Sequence, residues 1–227
     1  MLSKINALID KQDNNEIVRD QIAAILAIEI DCQKDLAKIA DKNPIDWDID
    51  IYVERLRPWE ILSDGNGEEI SQTPLVNISF DNDVFDNKGS DSVGHQKVKG
   101  TFFLDCYTHK NTYKDGSGII QQGDELTSKE SDKIARLVRN ILMADIYTYL
   151  QIRDIVSRRN ILKREKFIPS DREGRFFENV IATRITFEVD YDEFSPQTAG
   201  EDLELLINRC EIKEDGSIYF DSQFDLT

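Results

Sequence analysis

Apolar and polar residues alternate through two long stretches of this chain, Lys97 to Thr108 and Asn179 to Asp192, and a stripe at helical spacing lies between them. In the first stretch Val98, Phe102, Leu104 and Cys106 fall on one side and Lys97, Lys99, Thr101 and Asp105 on the other. That period of two predicts a strand with one face on a core and the other toward solvent or a neighbour. The second stretch sets Ile181, Thr183, Ile185, Phe187, Val189 and Tyr191 against Ala182, Arg184, Thr186, Glu188 and Asp190. Between them, Ile134, Leu137, Val138, Ile141 and Leu142 form a stripe that predicts an amphipathic helix over Ser128 to Leu142, with Thr127 or Ser128 as its N-cap.

The remaining pattern extends this trio. Ile17, Ile22, Ile25, Leu26, Ile28, Leu36 and Ile39 predict a helix over Asn14 to Ala40, broken near Asp31 and ended by Asn43-Pro44, because a residue before proline is pushed out of the helical region. Asp46, Asp48 and Asp50 alternate with Trp47, Ile49 and Ile51, predicting a strand toward Arg55. Asp64-Gly65-Asn66-Gly67 is turn chemistry, and Thr73-Pro74 opens an apolar strand through Phe80. Polar loops are expected over Asp81 to Val93, Asp115 to Gly123 and Asp171 to Phe177, with a short turn at Tyr147 to Leu150. Ile155 to Phe167 is a basic strand ending at Pro169, and Leu203 to Ile212 with Asp215-Gly216 and Ile218 to Phe220 predicts a terminal hairpin. The expected fold is α+β: a mixed, mainly antiparallel sheet with helices packed on one face, one domain over 14–195, and a C-terminal β-hairpin extension over 196–227.

Charge sharpens the picture. With 44 acidic residues against 28 Lys and Arg, the net charge is -16, which argues against a surface that embraces nucleic acid. Yet Arg153, Arg158, Arg159, Lys163, Arg164 and Lys166 cluster, an asymmetry that lets one copy stick to the next, and these six are the candidate interface. The bland alternative is a solvated edge whose charges block aggregation. The longest apolar run, Ile22 to Ile28, is far short of a bilayer span, so no membrane partner is expected. Cys32, Cys106 and Cys210 are odd in number and widely spaced, the pattern of reduced thiols in a cytoplasmic product.

Candidate chemistry is thin. His95 and His109 lack companions at metal-ligand spacing. Asp81-Asn82-Asp83 with Asp86-Asn87 lacks the glycine and closing glutamate of a calcium loop, and Gly116-Ser117-Gly118 is followed by no Gly-Lys-Ser/Thr. No nucleophile elbow or cysteine–histidine pair is evident. No catalytic, cofactor or metal residue is therefore expected, and the chain is not expected to be an enzyme.

The order of elements carries a resemblance. The N-terminal helix, the strand Pro74 to Phe80, the strand Val98-x-Gly-x-Phe-x-Leu-x-Cys-Tyr, the helix with Leu137-Val138-Arg139-x-Ile141-Leu142, the basic strand and the strand with Thr186-Phe187-Glu188-Val189 follow in succession. Over Asn14 to Asp192 this resembles the tail terminator and tail completion proteins of tailed bacteriophages. The resemblance implies a virion subunit assembled in the host cytoplasm as a ring, usually a hexamer, on the head-proximal end of the tail tube. Its implied partners are copies of itself, the tail tube protein, the head connector or neck proteins, and a sheath if the tail is contractile. DNA would pass through the channel without specific binding. The alternatives are another neck protein, such as a head completion or adaptor subunit, and an accessory protein to a nuclease or hydrolase.

Overall fold

The computed structural model describes residues 12–62, 71, 73–85, 95–114, 116, 118–170, 179–194, 209–212 and 218–221. In chain order the elements are α1 (Asn14–Ile39), β1 (Asp50–Val53), β2 (Leu75–Phe85), β3 (His95–His109), β4 (Tyr113–Lys114), β5 (Ile120–Gln121), α2 (Gly123–Leu142), β6 (Val156–Phe167), β7 (Val180–Phe194), β8 (Arg209–Ile212) and β9 (Ile218–Asp221). Five strands form one sheet in the order β1-β2-β3-β7-β6, parallel at β1–β2 and antiparallel at the other three ladders. Both helices pack on one face of it, so the expected α+β fold is present. β4 pairs with β5, and β8 with β9 in the terminal hairpin.

The alternating strands pair along their whole length, from His95 opposite Phe194 to His109 opposite Val180. This register sets Val98 against Tyr191, Phe102 against Phe187 and Leu104 against Ile185, all buried under the helices. Gly100 is required in this row: a Cβ there would lie 2.6 Å from Cε1 of Tyr191. The tyrosine ring crosses the gap, and its hydroxyl donates to Asp83 Oδ1 at 2.5 Å.

α1 runs unbroken through Asp31, because Val18, Ile22, Ile25, Leu26 and Ile30 hold one continuous buried stripe on the sheet. Burying each of these larger side chains contributes roughly 2 kcal/mol. Asn14 Nδ2 ties the helix start to the Asp192 carbonyl at 2.5 Å. At the other end Asp41 adopts a positive φ of 52°, and Lys42 donates its N–H back to Ala37 at 2.9 Å.

α2 begins at Gly123, earlier than the expected Ser128. The Gly123 N–H donates to Thr112 Oγ1 at 2.9 Å, and a side chain at that position would strike the Lys110 carbonyl at 2.5 Å. Asp124 and Glu125 then sit in the first turn, where carboxylates suit the helix dipole. Thr127 and Ser131 are buried along the helix rather than capping it. Thr127 Oγ1 donates to Gly123 O at 2.7 Å, and the Ser131 hydroxyl meets that of Thr183 at 2.6 Å.

Two other expectations are corrected. The strand sought over Asp46 to Arg55 is confined to β1, because Pro44–Trp47 forms a 3-10 turn capped by Asn43, whose Oδ1 accepts from the Ile45 N–H at 3.2 Å. Asp81 to Phe85 belongs to β2 rather than to a loop: an irregularity between Phe80 and Asn82 lets the polar residues keep pairing with β3. The expected turn at Tyr147 to Leu150 is present, closed by the Leu150 N–H donating to the Tyr147 carbonyl at 3.0 Å, and a 3-10 turn at Asp145–Tyr147 leads into it. The expected features at Asp64 to Gly67, Asp86 to Val93, Asp115, Ser117, Asp171 to Phe177, Leu203 to Asn208 and Asp215-Gly216 lie outside the described residues.

Candidate functional site

The strand residues that alternate with the core row point to the face without helices. Part of that face is covered by the chain itself. Pro58–Ile61 forms a 3-10 turn that brings Trp59, Ile61 and Leu62 onto Leu75, Tyr107, Val180 and Ala182. At the border of this cluster the β3–β7 register places Asp105 opposite Arg184, and the two form a bidentate pair with both N···O distances at 2.7 Å. Asp105 is 3% exposed and Arg184 28% exposed, so this pair is largely withdrawn from water.

The guanidinium lies 4.0 Å from the Phe103 ring centroid and 5.1 Å from that of Phe167. The Tyr107 hydroxyl donates to Asp105 Oδ2 at 3.2 Å. Hydrogen bonding to Asp105 holds Arg184 above its ordinary range against the opposing effect of burial. Burial, reinforced by the Asp105 charge, likewise pushes Tyr107 upward. Such a filled, paired centre ties the two strands in register. Pattern alone put Asp105 toward solvent or a neighbour; its partner was hidden because register cannot be read from either strand separately.

Beyond Asp105 the face carries polar rows. Lys99, Asp190 and Arg158 lie side by side across β3, β7 and β6, as do Thr101, Glu188 and Asn160. Opposite charges alternate across the strands, an arrangement that stabilises neighbouring strands.

The six candidate basic residues separate into distinct roles. Arg159 faces the helices, where Nε donates to the Tyr147 carbonyl at 2.8 Å and Nη2 to that of Ala144 at 2.7 Å. Burial holds it below the usual arginine range. Lys166 reaches α2, donating to Ser128 Oγ at 2.6 Å and pairing with Asp132 at 2.7 Å. Lys163 pairs with Glu165 at 2.9 Å along its own strand. Arg153 lies before β6 with its guanidinium 5.3 Å from the Tyr149 ring centroid. Arg158 and Arg164 are exposed and form no ion pair with a described residue.

The remaining candidates are scattered. His109 is buried in β3, Cys106 is buried in the core, and Cys32 is exposed on α1. Burial pushes the Cys106 thiol far above its ordinary range, so it is held protonated. Among the described residues no group of three or more His, Cys, Asp or Glu could hold a metal ion, and no helix is long and apolar enough to cross a membrane.

Among the described residues the sheet ends on one side at β6 and on the other at β1. Pattern singled out the first edge by its charge but not the second. Around β1, Asp46, Asp48 and Asp50 are exposed. Lys34 pairs with Asp48 at 2.8 Å. Partial loss of hydration at its inner side, then the Asp48 charge, holds the Asp50 carboxyl above its ordinary range, against a smaller opposing effect of Lys34. No family model and no curated protein matches this chain.

Proposed function

We propose that this chain is a structural assembly subunit of the tail-terminator type. It forms a ring at the head-proximal end of a phage tail tube, ends tube polymerisation and presents a surface to the head connector. The observation that carries the reading is the exposed outer strand β6, with five basic residues and one acidic residue in twelve, on a chain whose net charge is -16. A head-to-tail ring needs two different complementary faces on each subunit, and a basic strip on an acidic body supplies them. The helix-sealed core and the filled Asp105–Arg184 centre are consistent with a scaffold. An acidic channel wall would let DNA slide through rather than adhere.

Electron microscopy of the purified protein, alone and with tail tubes, tests this reading. Closed rings and capped tubes are expected. A protein that stays monomeric, leaves tubes uncapped and hydrolyses nucleic acid with a metal ion would contradict it.

A further inference from the structure

We propose that copies of this chain join edge to edge, the basic β6 of one copy against the acidic β1 edge of the next, so that the sheet continues from subunit to subunit. The inference rests on the ring reading and names the second half of its interface. β1 and β6 are opposite ends of one sheet, and among the described residues neither has a strand on its outer side. An outer strand presents unpaired N–H and C=O groups, which are a template for another strand.

Charge restricts which strand is accepted. Two copies of β6 laid together would crowd Arg158, Lys163 and Arg164 against like charges, and two β1 edges would bring Asp50 against Asp50, with Asp48 just outside the strand and already paired to Lys34. Like charges directly across a strand pair are destabilising. Only the mixed pairing puts opposite charges across the seam.

The faces also match. The β1–β2 register sets Asp50 beside Leu75 and Tyr52 beside Asn77, on the side away from the helices, while Ile51 and Val53 pack toward the core. On β6, Arg158 and Lys163 lie in register with Asp190 and Thr186, on that same side. A sheet continued through both edges therefore brings Asp50 to the face of Arg158 and Lys163.

Irregularities at Ser157 and Leu162 divide β6 into two regular runs, Arg158 to Ile161 and Lys163 to Phe167, each long enough to receive the four residues of β1. A ladder that short supplies few hydrogen bonds, so charge sets its selectivity. Because its two edges differ, this contact is heterologous, closing into a ring where the rotation allows.

Two variants test the seam in the full-length protein: Arg158→Glu with Lys163→Glu, and Asp48→Lys with Asp50→Lys. Circular dichroism first verifies that each keeps the wild-type fold. By native mass spectrometry each variant alone is expected to lose every species larger than a monomer. Mixed together they should recover ring-sized species in which the two variants alternate, since every seam again sets opposite charges across it. Rings that persist in both variants would overturn the seam while leaving the ring reading intact. Rings abolished instead by Glu211→Lys with Asp221→Lys in the β8–β9 hairpin would also overturn it, and a wild-type protein that remains monomeric would overturn both.

Discussion

The two faces of the sheet are written by the same strands and finished by opposite means. On the helix side, Phe102, Leu104, Ile185 and Phe187 meet α1 and α2 with their full apolar surface. On the other side, Asp105 and Arg184 occupy neighbouring positions and spend their charge on each other before the face opens into Lys99, Asp190 and Arg158. The first face is stabilised by exclusion of water, which needs volume and no direction; the second by pairs that must be in register. Apolar area holds this fold together, while register and charge order its outer surfaces.

That contrast can be broken most severely in the core. Phe187→Ala removes a fully buried ring from the middle of the helix-covered row and is expected to cost about 3–5 kcal/mol in a denaturant titration. A loss as small as that of an exposed-site variant would mean that the helices do not seal that face.

Asp105→Ala is expected to cost about 3 kcal/mol, because it strands Arg184 without its carboxylate. Asp105→Leu combined with Arg184→Met should cost less than Asp105→Ala alone, since neither charge is left unpaired. Equal losses would show that the pair acts through packing alone. At the edge the effect shrinks further. Lys166→Ala is expected to cost about 0.5 kcal/mol, because its Asp132 partner is 43% exposed and the pair is open to solvent. Thermal unfolding of the three variants side by side should preserve this order.

The residues that sequence made legible are those whose neighbours lie on their own element. Alternation along β7 sorted Phe187 and Val189 from Arg184 and Glu188 because one strand fixes both sides by itself. The stripe of α2 was equally plain, but its start was not. Gly123 carries a loop signature, and its place in the first turn comes from the backbone of Lys110 and Thr112, brought alongside by the fold.

Asp81 to Phe85 looked like a loop because Asp and Asn disfavour strands; pairing with Val98 to Thr101 overrides that preference. The alternation at Asp46 to Asp50 misled in the opposite direction, since Pro44 and the Asn43 cap impose a turn on residues with a strand period. For the candidate interface, the charge of β6 was legible and its exposure as an outer strand was not. Nor could sequence foretell that Arg159 is committed to the carbonyls of Ala144 and Tyr147. Strand order in space turns a basic segment into an edge and an acidic segment into the opposite one.

The claim that this fold is a subunit made for neighbours is most directly tested by the mass of the wild-type particle, measured by sedimentation over a range of protein concentrations. The account predicts a closed species at a fixed multiple of 26.2 kDa that does not grow as concentration rises. A single 26.2 kDa species at every concentration would contradict it.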